Sequence, residues 1–162
     1  MVAKDAVVGE SVDEITDALL AASRLLVALS ARSIALVDDS LTIPQFRTMV
    51  ILSTRGPSKV VTLAGALNVQ PSTAARMVER LVVADLVDRN PNPDSRRELI
   101  IELTEHGRRV VDEVTAHRRR EIASVVQQMP KADRSGLVRA LTAFTVAGGE
   151  PHADLDIDSY QL

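Results

Sequence analysis

Two stretches of this chain carry residue types whose spacing could do chemistry. The first is "PSTAARMVERLVVA", residues 71–84. Wound as a helix at about 100° per residue, it gathers Ala74, Met77, Val78, Leu81 and Val82 on one apolar face. Ser72, Thr73, Arg76, Glu79 and Arg80 gather on the opposite face. Small hydroxyls near a helix start permit close approach to another molecule. An arginine can donate two hydrogen bonds to the O6 and N7 of guanine, or neutralise a phosphate. This is the chemistry of a helix entering the major groove of DNA.

The second stretch is "RNPNPDSRREL", residues 89–99. Two prolines and two asparagines stiffen a loop between strand-like runs, "DLVDR" before it and "ELIIELT" after it. Asp94 is short and two residues from Arg96, close enough to hold its guanidinium in one orientation, and Arg97 follows. A fixed cation on a narrow loop suits a minor groove, whose negative potential attracts arginine. Taken alone, each stretch reads more readily as an ordinary solvated face or turn. Their order changes this. A short helix in "TLAGALN", a turn through Asn68-Val69-Gln70 and the helix from Pro71 make a helix-turn-helix, and the hairpin follows as a wing beside it.

The rest of the chain must position these groups, and it reads as mostly helical. Ser11 and Glu14 form a capping box that opens a first helix. Val12, Ile15, Leu19, Ala22, Leu26, Leu29 and Leu36 recur along it at heptad-like spacing, with Ser33 in the gap. That seam buries itself in its own core or meets a partner helix. Thr42 and Gln45 form a second capping box, with Pro44 in the first turn, for a helix ending at Gly56-Pro57. Thr62 is expected to cap the short helix. Thr104 caps a long helix that runs to Met129 and stops at Pro130, with a stripe of Val111, Val114, Ile122, Val125 and Met129. Asp133 is expected to cap a last helix ending at Gly148-Gly149. The tail, residues 149–162, holds four acids and no base, and is either disordered or folded back on a basic surface.

Composition bounds the remaining possibilities. The 162 residues suffice for one domain. Without cysteine there is no disulfide, thiolate metal site or thiol redox sensor, which fits a reducing cytoplasm. No leader pattern is expected at the start, and no apolar run approaches a membrane span, since Arg24 splits "LLAASRLLVAL". The net charge of −3 is unevenly spread: residues 1–40 carry seven acids against three bases, whereas residues 55–97 carry seven bases against four acids. Only the middle of the chain has the sign of an anion-facing surface. There is no nucleophile elbow, phosphate-binding glycine loop or paired-histidine metal spacing. His106 and His117 stand about 16 Å apart along one helix, too far to share an ion. An enzyme, a cofactor and a metal centre are therefore not expected. With three aromatics, Phe46, Phe144 and Tyr160, a stacking platform for single strands or RNA is equally unsupported.

The pattern "LTIPQFRTMVIL…TLAGALNVQPSTAARMVERLVVADLVDR…DSRRELIIELTEHG" resembles the multiple-antibiotic-resistance regulator (MarR) family of winged helix-turn-helix transcriptional regulators. Its most specific parts are Asp94-Ser95-Arg96-Arg97 and Leu103-Thr104-Glu105-His106-Gly107. Two departures stand out. Gly65 interrupts the first helix of the motif, and Ala84-Asp85 replaces the glycine usual before Leu86-Val87. The resemblance implies a mostly α fold, a single domain over residues 1–162. Its DNA-binding lobe, residues 42–103, would carry a two-stranded wing, and helices over 11–39 and 104–148 would form a homodimer.

The same resemblance implies a cytoplasmic, sequence-specific regulator of double-stranded DNA with a pseudo-palindromic site. It would be a repressor released by a small aromatic or phenolic ligand. Ser72, Thr73, Arg76, Arg80, Asp94, Arg96 and Arg97 would be the DNA-binding residues. Arg24, Ser30, Arg47 and His117 are polar groups on helices that could line the ligand pocket. The alternative is a winged-helix protein-interaction module without DNA binding.

Overall fold

Both expected capping boxes close, and they set where the first two helices begin. In the computed structural model, which describes residues 10–93 and 95–149, the Ser11 hydroxyl accepts from the Glu14 N–H at 3.2 Å while the Glu14 carboxylate accepts from the Ser11 N–H at 2.8 Å. Helix α1 (Val12–Val37) starts there. Thr42 and Gln45 make the same reciprocal pair at the head of α2 (Ile43–Arg55), which ends at Gly56 with φ of +77°. The chain continues through α3 (Val60–Leu67), α4 (Pro71–Val83), β1 (Val87–Asn92), β2 (Ser95–Leu103), α5 (Glu105–Gln128), a single turn α6 (Lys131–Arg134) and α7 (Leu137–Ala147).

Two expected caps differ. Helix α3 begins at Val60, with Lys59 at the N-cap and no capping side chain, so Thr62 lies inside the helix. The cause is upstream: Ser58 pairs with Ile101 through two backbone hydrogen bonds of 2.9 and 2.8 Å, and the chain turns into the helix directly from that bridge. Asp133 also lies inside a helical turn rather than capping one. Gly136, at φ of +79°, breaks the path, and α7 starts after it. Arg134 holds this corner, donating to the carbonyls of Met129 at 2.7 and 3.0 Å and of Gln127 at 2.8 Å.

The apolar core lies where α2, α3, α4, the strands and the first half of α5 meet. Met49, Leu63, Val78, Leu81, Leu86, Val87, Ile101 and Val114 are all buried there. Strands β1 and β2 pair antiparallel from Val87 opposite Leu103 out to Pro91 opposite Leu99. Helix α1 packs mainly on α5 and buries little of itself: Leu29, Ser33 and Ile34 are covered, while Val12 and Leu36 are 80% and 68% exposed. No residue of α7 is buried, and Val138, Leu141, Phe144 and Val146 stand open. Contrary to the expectation drawn from Arg24, α1 does reach the length and apolarity of a membrane span, with a mean hydropathy of 1.6 over its best window.

Candidate nucleic-acid interface

The helix-turn-helix is built by backbone constraints at three points. Asn68 adopts the left-handed conformation at φ of 52°, a geometry its short amide side chain tolerates, and ends α3. The Val69 N–H bonds back to the Ala64 carbonyl at 3.0 Å. Pro71 then occupies the first position of α4, where the missing N–H breaks no bond. Ala74, Val78 and Leu81 are buried on α3 and the sheet, so the opposite face must point outward. Ser72, Thr73, Arg76, Glu79 and Arg80 are all exposed. The faces are those the 3.6-residue period requires.

After α4 the chain reverses at Asp85, which takes φ of +57°. This is the position where a glycine was expected, and an aspartate fills it. The Asp85 carbonyl accepts from the Thr104 hydroxyl at 2.7 Å, and that hydroxyl accepts from the Gly107 N–H at 2.8 Å. One threonine thus caps α5 and ties it to the root of the wing.

The wing carries an irregularity that positions its tip. Pairing jumps from Pro91 opposite Leu99 to Asn92 opposite Ser95. Among the described residues, Arg96, Arg97 and Glu98 consequently have no Cα partner in the register of the two strands. A bulge of this kind bends a strand and re-aims what it carries. Asp94 lies outside the described residues, as do the side chains of Arg96 and Arg97, so the expected Asp94–Arg96 contact is not addressed by the structure. Glu98 is placed. Its Oε2 sits 2.6 Å from the Lys59 ammonium and accepts from the Asn92 amide at 3.3 Å. Hydrogen bonding from Lys59 does most to lower the Glu98 carboxyl below its ordinary value, and with the Lys59 charge and the Asn92 amide it outweighs the opposing effect of desolvation. A second cross-strand bond joins the Asn90 amide to Glu102. Sequence reasoning passed over Lys59. Its signal is a lone cation directly before the apolar run "VVTLAGAL" in the basic middle of the chain.

Of the four polar groups expected near a ligand pocket, two come together. A cavity of about 410 Å³ between α1, α2 and α5 is lined by Ser30 and Arg47 along with Leu26, Val27, Ile34, Ile43, Phe46 and Val50. Arg24 and His117 lie outside its lining. Ser23, Leu26, Val27, Ser30 and Ile34 follow one face of α1, and Arg24 is turned off it by about 100°. On α5 it is Arg118 that reaches the cavity, while the His117 ring faces Arg120 at 2.9 Å. The Arg118 Nε is buried without a hydrogen-bond partner among the described residues. Among those residues no three histidine, aspartate or glutamate side chains gather as metal ligands.

Comparison with known proteins places this arrangement. Residues 41–99, which hold α2 to the middle of β2, match the MarR family profile. Over 75 residues the chain is 41% identical to the HTH-type transcriptional repressor NicR of Pseudomonas putida, an alignment covering 46% of this chain and 48% of that one. The chain therefore spans about half the length of that curated relative. The crystal structure of RV1404 from Mycobacterium tuberculosis superposes with a TM-score of 0.82 at 67% identity, over 90% of this chain and 99% of that one. An S. aureus MepR mutant bound to an oligodeoxyribonucleotide has the same fold, with a TM-score of 0.61 at 18% identity over 82% of this chain and 96% of that one. With its winged helix-turn-helix, its helical flanks and these likenesses, the chain belongs to the MarR family.

Proposed function

We propose that this protein is a homodimeric transcriptional regulator that binds double-stranded DNA at specific sequences. Each subunit inserts α4 into a major groove through Ser72, Thr73, Arg76 and Arg80, and sets the wing tip with Asp94, Arg96 and Arg97 in the adjacent minor groove. The observation that carries the reading is the division of α4: Ala74, Val78 and Leu81 are buried, and the hydroxyls and arginines are all exposed beside the wing. The MepR mutant of the same fold is bound to an oligodeoxyribonucleotide, and the relative NicR is a repressor, which supports both DNA binding and repression.

The open apolar faces of α1 and α7 support dimerisation through residues 11–39 and 104–148. A partner helix would cover them, which also gives the apolar α1 a use in a soluble, cytoplasmic protein with no membrane contact. Two-fold symmetry then calls for a pseudo-palindromic site with half-sites about 10 bp apart. Release by a small aromatic or phenolic ligand follows if the cavity between α1, α2 and α5 is its site. Occupancy that favours one dimer geometry would mismatch the two α4 helices to their half-sites.

Selection of duplexes from a random pool, followed by binding at several salt concentrations, tests this reading. Enrichment of a two-fold-related sequence, with affinity lost in Arg76→Ala and Arg80→Ala, is the expected result. A folded dimer that enriches nothing would point instead to a protein-interaction module.

A further inference from the structure

Glu98 is an acid where the proposed function calls for bases. It adjoins Arg96 and Arg97 on the wing, and a carboxylate there repels the phosphates the wing must approach. Its contacts show what it does. One oxygen, Oε2, holds the ammonium of Lys59, the residue that heads the first helix of the helix-turn-helix, and the amide of Asn92 on the opposite wing strand. Asn92 is buried and sits at the register jump. Glu98 adjoins Leu99, the last regularly paired residue of β2, and so stands where the strand leaves the regular register. A single carboxylate thus ties α3, β1 and the base of the wing tip together, within reach of all three.

The pair does two things at once. It fixes where the Arg96–Arg97 run begins relative to α3 and α4, and so which groove position the tip can reach. It also occupies Lys59. The Lys59 side chain is 47% exposed even when paired, and an unpaired lysine at the start of α3 would be free to swing to any nearby phosphate. Phosphate contacts of that sort strengthen binding to every sequence alike.

We propose that Glu98 is a positioning residue that sets sequence discrimination, by anchoring the wing to α3 and by withholding Lys59 from the DNA backbone. The proposal rests on the DNA-binding reading above. It separates two roles that a wing residue would otherwise confound, because loosening the wing and freeing a cation move the salt dependence in opposite directions.

The test uses the full chain, a duplex enriched from a random pool and an unrelated duplex of equal length. Glu98→Gln keeps an acceptor for Asn92 and removes the charge. An exposed ion pair adds little to stability, so the variant stays folded, as its thermal melt will report. Two freed lysines per dimer should steepen the slope of log affinity against log salt by on the order of two units. Affinity for the unrelated duplex should rise, and the ratio of specific to non-specific affinity should fall roughly tenfold, within the range of one misread base pair. Adding Lys59→Gln should return the slope to that of the wild type while the ratio stays low. A slope in Glu98→Gln that is unchanged or shallower overturns the proposal, a shallower one meaning that Glu98 only braces the wing. A folded wild-type protein that binds no duplex would sink the proposal and the DNA-binding reading together, whereas normal wild-type binding with an unaltered mutant slope sinks the proposal alone.

Discussion

Gly107 stands so close to Leu86 that a Cβ built on it would lie 2.0 Å from the Leu86 carbonyl oxygen. The neighbouring atom is backbone, which cannot rotate away. Gly107→Ala should therefore force α5 off the wing root and destabilise the fold by about 2–3 kcal/mol, measured by urea unfolding. A loss within experimental error would show that the α5 junction yields more easily than its geometry implies.

Gly65 presents the opposite case. It lies inside α3 with nothing within 4 Å of a would-be Cβ. Gly65→Ala should stabilise the protein by about 0.5–1 kcal/mol through the helix propensity of alanine and a less flexible unfolded chain. The expected rise in melting temperature is roughly 1–4 °C.

Asp85 holds a left-handed backbone without being glycine. Asp85→Gly should be tolerated, because glycine adopts that conformation freely. Asp85→Val should lose on the order of 1–2 kcal/mol, since a β-branched side chain crowds the carbonyl in the same geometry. Chemical denaturation of the two variants side by side distinguishes backbone strain from loss of the aspartate itself.

For Glu98 the prediction concerns pH. Its carboxyl titrates below the usual range because the Lys59 ammonium and the Asn92 amide favour the ionised form. With the folded-state value depressed, the pair is fully present above the ordinary glutamate range and is lost as pH falls through the lower, folded value. At neutral pH it stays closed. Carbon-detected NMR of the side-chain carboxyl should give a midpoint below that of glutamate in a short peptide, and Lys59→Gln should move it upward. A midpoint indifferent to Lys59 would contradict the assignment of cause.

The open face of α7 bears on assembly. Phe144 is 55% exposed on a helix that has no fully buried residue within its own chain. If that face joins two subunits, Phe144→Asp places an unpaired charge in the joint and should shift the protein to monomers in sedimentation velocity at micromolar concentration. An unaltered dimer would place the interface elsewhere.

What could be read from the sequence depended on how local its cause was. The capping boxes at Ser11 and Thr42, the faces of α4 and the Thr104 cap each arise within a few residues, and each was legible. Thr62 and Asp133 also looked like caps, yet tertiary constraints overrode them: the Ser58–Ile101 bridge starts α3 early, and Gly136 with Arg134 breaks the last helix. The Lys59–Glu98 pair was invisible because it joins residues far apart in the chain, and the register jump beside Pro91 because alternation does not show where strand pairing slips. The heptad seam of α1 was legible as apolar, but only Leu29 and Ser33 of it are covered within the chain. Arg118 entered the cavity in place of His117 through one residue's rotation about α5, a difference that periodicity alone does not resolve.

The junction of Thr104 and Gly107 with Asp85 and Leu86 has a mechanical consequence. Helix α5 is 24 residues long, so it is a beam of roughly 36 Å clamped at one end to the root of the wing. The cavity lined by Arg118 borders that beam near its middle. A tilt of about 5° about the clamped end displaces the far end by on the order of 3 Å at this length. Close to the clamp the beam barely moves, but the wing and α4 must turn with it as one piece. On the proposed reading, a ligand in that cavity need not touch a DNA-facing side chain to change the distance between the two subunits' lobes. It has only to lean on the lever.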